Sequence, residues 1–480
     1  MNRREFLVGS AASVSAGVAE RKGFAKGVAV ASLPPFPRDF LFGAATSCVQ
    51  IEGAAWEDGK GESIWDCFAE KPGAIIDGSN PSLACDSYHQ WSLDLALVKE
   101  MGLQSYRFSI AWPRILPIGR GQVNERGVDH YNKIIDALLS AGIQPLVTAY
   151  HWDLPQVLQD KGGWPNRDTA ERFADYVQIL AKRFGDRVVR WCLLNEPSAF
   201  TIFAYGFGGH APGIRDRGQM LRAIHTSNLA QGAAFRAMKA IRPHSKVGIA
   251  HAMQLYDPAT SSETDRQACE RFHAFNNLWF LDPAFTGEYP DAFVNGVPYE
   301  EMGWKPGDEQ RVRATLDFSG MNFYGDVQLV AAGAGKFMNE AELLNGIDAH
   351  VTRRQRNTAA AMERVSLWMA TRYSRPVEIT ETGFGGHDVL TPKGKVHDQT
   401  RIIWLSDAFS GIRRAQLKGA KIVSAHVWSL IDDWEWQGGF RIHMGLAWVD
   451  FMNPIQRIPK DSARWYGNLV RSRSLTPTHR

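Results

Sequence analysis

Two short segments end in a glutamate where an acidic side chain is out of place. Leu193-Leu194-Asn195-Glu196-Pro197 and Ile379-Thr380-Glu381-Thr382-Gly383 are each an apolar run that reads as a buried strand and stops beside a turn-forming Pro or Gly. A carboxylate at the end of a core strand faces desolvation, so it needs either a partner or a task. Two such carboxylates from distant parts of one chain suit the cleavage of an acetal. One carboxyl stays protonated to assist the departing oxygen, and the other stays ionised to support or attack the anomeric carbon. Glu196, behind an apolar strand and Asn195, suits the acid/base role. Glu381 suits the nucleophile, with Arg107 from another strand as its counter-charge.

Such a pair needs a scaffold that brings remote strand ends together. Eight short apolar runs read as strands: 42–45, 105–110, 144–150, 189–194, 247–250, 318–322, 377–380 and 422–428. Amphipathic runs lie between them, at 91–101, 127–141, 168–184, 220–241 and 400–418. Eight βα repeats without a linker predict an α/β fold, a single (β/α)8 barrel over residues 32–480 with extended βα loops. Strand C-terminal ends converge in such a barrel, and Arg107, His151, Trp152, Asn195, Glu196, Asn322, Glu381 and Trp428 all fall there. Residues 326–351 fit the repeat poorly and read as a loop insertion near the active face.

The totals narrow the partners. Of the net charge of +3, the first 31 residues supply all: Arg3, Arg4, Arg21, Lys22 and Lys26 against Glu5 and Glu20. The remaining chain is electrically balanced, which gives no case for nucleic acid or an anionic surface, and no run is apolar enough to span a membrane. An uncharged small molecule is the expected partner. Asn2-Arg3-Arg4-Glu5-Phe6-Leu7, followed by a mild Ala/Val/Gly/Ser run, resembles a twin-arginine export signal, with cleavage at Ala19 or Ala31. That reading puts the protein in the periplasm or outside the cell, against a cytosolic tail with two arginines by chance. Five scattered cysteines read as free thiols, with Cys67–Cys85 the one bridge considered. His387, Asp388 and His397 are close in sequence but sit in a polar loop, so no metal site and no cofactor are expected.

Seven blocks in order resemble glycoside hydrolase family 1, the β-glucosidase/β-galactosidase family, over about residues 40–466. They are Phe40–Gly53, Tyr106–Arg114, Tyr150–Pro155, Asn195-Glu196-Pro197, Asp317–Tyr324, Thr380–Gly383 and Trp428–Trp436. The resemblance implies a retaining double displacement by Glu381 and Glu196. It also implies that Gln50 and Glu435 grasp the non-reducing end of a sugar and that Asn195 contacts its 2-hydroxyl. Tyr324 would hydrogen-bond near the nucleophile, with Arg107 and Asn322 supporting it. His151 adds hydrogen-bonding capacity, and Trp428 and Trp436 offer flat faces to the C–H side of a pyranose. The expected activity is an exo-acting β-glucosidase, with galactosyl or fucosyl activity beside it, on a β-glycoside or short oligosaccharide. A catalytically weak sugar-binding relative and a transglycosylase are the alternatives. Three positions depart from the family pattern: Thr382 stands for Asn, Phe440 for Tyr, and Met444 for an aromatic. Glu196 argues against thioglucosidase chemistry, and anionic Glu435 against a 6-phosphate.

Overall fold

The computed structural model describes residues 33–333, 343–453 and 456–475. The twin-arginine-like segment lies outside them. Eight parallel strands close a barrel: β1 (Leu41–Ala45), β2 (Ser105–Ser109), β3 (Gln144–Tyr150), β4 (Arg190–Asn195), β5 (Lys246–Ala252), β6 (Ser319–Asn322), β7 (Val377–Thr382) and β8 (Ile422–Trp428). Neighbours in space follow the order of the chain, and β1 closes on β8 with Ala45 opposite Trp428. The expected strands all occur, within two residues of their expected bounds. β2 and β4 are buried along their whole length, because an all-parallel sheet is covered on both faces. The fold is therefore the predicted (β/α)8 barrel.

The helices between the strands follow from their periodicity. Helix Asp168–Phe184 buries Phe173, Tyr176, Val177, Leu180 and Phe184, a stripe at helical spacing. Asp168 and Glu171 in its first turn and Lys182 and Arg183 in its last complement the helix dipole. Helix Arg217–Ile241 starts where Asp216 accepts the Gln219 N–H at 2.6 Å, satisfying one of the free amides of the first turn.

The barrel interior is filled in layers. Near the strand N-termini Arg190 pairs with Glu378, and its Nη1 donates to Ser105 Oγ at 3.1 Å. Leu146, Cys192, Ala250 and Phe318 form an apolar plug. Because strand side chains alternate, Arg107 faces the same interior as Ser105, two residues further towards the C-terminal mouth. A buried guanidinium is thus delivered to the base of that mouth, with no exposed surface of its own.

One expectation fails. Residues 326–351 are not a plain loop: Asp326–Ala332 pairs antiparallel with Ala349–Arg356 and parallel with Leu255–Pro258. The Ala/Gly content of the segment hid a strand in which Val327 and Val330 are buried and whose antiparallel partner starts at Ala349 and runs on past Val351. The intervening residues 334–342 are outside the described part. All five cysteines are free thiols, so Cys67 and Cys85 are not bridged. No helix among the described residues is long and apolar enough to cross a membrane.

Candidate active site

Consecutive strand residues point to opposite faces, yet Asn195 and Glu196 both serve the barrel mouth, and so do Thr380 and Glu381. The backbone breaks alternation in two ways. Glu196 takes a left-handed conformation, φ 47°, which turns its side chain inward just past β4. On β7 the register with β6 and β8 shifts between Ile379 and Thr382, as at a bulge. Thr380 Oγ1 then donates to Asn322 Oδ1 at 2.6 Å while Glu381 reaches Arg107. Gly383 follows because a Cβ there would lie 2.0 Å from the Trp428 carbonyl oxygen.

One hydrogen-bonded chain joins the two glutamates. Arg107 Nη1 donates to Glu381 Oε1 at 2.5 Å, and the Tyr324 hydroxyl donates to Oε2 at 2.8 Å. Arg107 Nη2 donates to Asn195 Oδ1 at 2.7 Å, and its Nε to Thr148 Oγ1 at 3.1 Å. Asn322 Nδ2 donates to Glu196 Oε1 at 2.9 Å and to Asn195 Oδ1 at 3.0 Å. Burial is the largest influence on the Arg107 guanidinium and would lower it, but the Glu381 charge and hydrogen bond, with Cys192 and Tyr324, together outweigh burial and keep the cation protonated. Glu196 goes the other way. Burial, then the Glu381 charge, pushes its carboxyl well above the usual range, against the Asn322 hydrogen bond and Arg107. One carboxyl is paired with a cation and the other, 2% exposed, is kept protonated by its surroundings. Acid catalysis beside a carboxylate needs that asymmetry.

The polar rim of the site follows from the same chain. Asn195 spends its oxygen on Arg107 and Asn322, so its Nδ2 donates to His151 Nε2 at 2.9 Å. Burial, then Arg107, keeps His151 neutral, so the ring proton falls on Nδ1, a buried donor without a protein partner. Trp428 Nε1 donates to Glu435 Oε1 at 3.0 Å. Ser47 Oγ donates to Gln50 Oε1 at 2.7 Å. Trp436 packs its ring against Trp152, with centroids 4.4 Å apart, and against His151 at 6.0 Å. These aromatics, with Trp428, wall the mouth between β3 and β8. The structure therefore gathers Gln50, Arg107, His151, Asn195, Glu196, Asn322, Tyr324, Glu381, Trp428, Glu435 and Trp436 at one end of one barrel.

Two departures from the family pattern have structural outcomes. Thr382 Oγ1 donates to the Phe323 carbonyl at 2.9 Å, so it ties β7 to the end of β6 instead of reaching the mouth. Met444 is buried with Ala45 and Trp428, and Tyr324 packs against the same cluster. Asp388 pairs with Lys460 at 2.5 Å and with Arg401, and His397 with Asp461 at 2.6 Å, so these side chains serve ion pairs. Thr148, Thr380 and Asp433 support the site and were not singled out from the sequence. Thr148 and Thr380 carry no signal as single hydroxyls on β-strands. Asp433 had one: an acidic doublet, Asp432-Asp433, inside a tryptophan-rich apolar block.

A parallel barrel with an asymmetric glutamate pair and an aromatic, hydroxyl-binding rim defines a barrel hydrolase of the paired-carboxylate type. The profile of glycosyl hydrolase family 1 matches residues 33–475. Beta-glucosidase A of Thermotoga maritima is 39% identical over 450 residues, covering 92% of this chain and 98% of the relative. The beta-glucosidase of an Agrobacterium species is 35% identical over 438 residues, covering 91% and 95%. A solved family 1 β-glucosidase from Thermotoga maritima superposes with a TM-score of 0.87 at 36% identity, covering 93% of this chain and 100% of that one. The Thermotoga maritima β-glucosidase in complex with glucoimidazole gives 0.85 at 36% identity, covering 92% and 100%. The chain belongs to glycosyl hydrolase family 1.

Proposed function

We infer that this protein is a retaining exo-β-glycosidase that releases terminal non-reducing β-D-glucosyl residues. The observation that carries the reading is the asymmetric pair, Glu381 held by Arg107 and Tyr324 beside Glu196 held by Asn322. A Glu381 oxygen attacks the anomeric carbon. The bond to the departing oxygen breaks with its electron pair, and Glu196 delivers a proton to that oxygen. Glu381 is then esterified. Glu196, now a carboxylate, takes a proton from water as the water oxygen attacks the same carbon and the ester bond breaks. The two inversions return the original β configuration. Gln50 and Glu435 grip hydroxyls at the far side of the ring, His151 and Asn195 reach nearer ones, and Trp428 and Trp436 flank its C–H face. The relatives named β-glucosidases, and the neighbour that binds glucoimidazole, support glucose as the sugar. Proton NMR of p-nitrophenyl β-glucoside turnover should show β-glucose first, before mutarotation. α-Glucose appearing first would overturn the mechanism.

Residues 1–31 act as a twin-arginine export signal on the same reading, which places the mature enzyme outside the cytoplasm. Arg3, Arg4 and the mild apolar run after them support it. Changing Arg3→Lys and Arg4→Lys together should trap active enzyme in the cytoplasmic fraction. Unchanged export of that pair would remove the proposal.

A further inference from the structure

Lys460 lies just before the last helix, Asp461–Ser472, and its side chain is wholly buried. A buried cation is costly unless carboxylates meet it, and here two do, from different elements. Nζ lies 2.5 Å from Asp388, in the loop after β7, and 2.6 Å from Asp432, in the segment after β8. The first of these follows the nucleophile. The second carries Glu435 and Trp436. The cation therefore sits on the seam between the two segments that build opposite ends of the site.

Both carboxylates are tied onward to the mouth. Asp432 accepts from His443 Nδ1 at 2.9 Å and from the Gly445 N–H at 2.8 Å, and so brackets Met444. Met444 is clustered with Trp428, whose Nε1 donates to Glu435 Oε1 at 3.0 Å. On the other side, Arg401 pairs with Asp388 at 2.8 Å. It also donates to the Phe384 carbonyl, three residues past Glu381, at 3.1 Å and to the His443 carbonyl at 2.7 Å.

We propose that Lys460 is a positioning residue for the sugar-gripping end of the site: its ammonium, shared between Asp388 and Asp432, locks the Glu435 segment in register with the loop that follows the nucleophile. The proposal rests on the β-glucosidase reading above. When Lys460 is lost, Asp388 keeps Arg401, but Asp432 keeps only His443 and one amide. A buried carboxylate short of counter-charge shifts towards water. That shift draws on residues 443–445, and through Met444 and Trp428 it reaches Glu435. Glu381 has its own support in Arg107 and Tyr324, so the effect falls on the far side of the sugar ring.

Steady-state kinetics of Lys460→Met on p-nitrophenyl β-glucoside and on its 4-deoxy analogue read this effect. The leaving group is the same, and only a far-side hydroxyl differs. The parent enzyme should favour the glucoside. In Lys460→Met, kcat/KM should fall on the order of 10²-fold for the glucoside and about tenfold for the 4-deoxy substrate, so the preference narrows by about tenfold. A smaller folded fraction would slow both substrates equally and leave the preference unmoved. Asp432→Asn with Lys460 intact repeats the test if Lys460→Met does not accumulate. Lys460 then stays neutralised by Asp388, the amide oxygen still accepts the Gly445 N–H, and the ionic pull across the seam is gone. The preference should narrow there by at least about threefold. An unmoved preference in whichever variant folds would overturn the proposal, and so would a parent enzyme indifferent to the 4-hydroxyl. Failure of the unaltered protein to cleave p-nitrophenyl β-glucoside would instead overturn the glucosidase reading on which the proposal rests.

Discussion

Glu381→Ala is expected to lower kcat for an aryl β-glucoside by on the order of 10⁶-fold, the scale seen when a covalent catalyst loses its nucleophile. At about 1.4 kcal/mol per decade, that is about 8 kcal/mol of barrier. The size follows from how completely the surroundings are committed to this side chain. Arg107 Nη1 and the Tyr324 hydroxyl both end on its oxygens, and neither has a second acidic partner in the mouth. Removal therefore does more than delete an attacking atom. It leaves a fully buried guanidinium without counter-charge, a change that costs about 3–5 kcal/mol of folding stability when one member of such a pair is lost. A fall in melting temperature should accompany the loss of turnover. The same orphaned cation makes the variant rescuable. Azide is a small anion that fits where the carboxylate was, and it should restore consumption of the substrate by a single displacement, giving the α-glycosyl azide. Residual activity within tenfold of the parent, or an azide product of retained configuration, would remove Glu381 from the nucleophile's place.

How much of this site could be read beforehand depended on which physical signal each residue carried. Glu196 and Glu381 stood out because a carboxylate at the end of a buried strand is costly, and cost is visible in a sequence. Arg107 was legible for the same reason, lying inside Tyr106-Arg107-Phe108. The bulge on β7 and the left-handed turn at Glu196 were not legible. Alternation predicts that only one of Thr380 and Glu381 faces the interior, and the backbone irregularity that admits both has no residue of its own in the pattern. Asp433 was passed over because sequence spacing does not say which of two adjacent carboxylates, Asp432 or Asp433, is paired with a cation. Residues 326–351 misled through composition. Ala and Gly lower strand propensity, yet sheet partners at Leu255–Pro258 and Ala349–Arg356 decided the outcome, and such partners lie outside any local window.

Glu196→Ala should produce a loss that depends on the leaving group, and that dependence carries more information than its size. For an alkyl β-glucoside, whose departing oxygen needs a proton, kcat/KM should fall by about 10²–10⁴, the usual worth of a positioned acid. For 2,4-dinitrophenyl β-glucoside, which leaves unaided, the first step should be nearly unaffected. The second step then limits, because the base that activates water is gone, so a burst of dinitrophenol followed by slow turnover is expected. The pH profile tests the electrostatics separately. Glu196 acts while protonated, and burial, then the Glu381 charge, holds its proton well above the ordinary glutamate range. The parent enzyme should therefore lose kcat/KM as pH rises through that raised value, and the variant should lack this alkaline limb. Esterification of Glu381 removes the second of those two causes. Glu196 then becomes the more acidic partner at the moment when it must accept a proton from water. One side chain thus serves as acid and then as base because its neighbour's charge disappears between the steps. Equal losses for both leaving groups, or an alkaline limb that survives the substitution, would show that some other group supplies the proton.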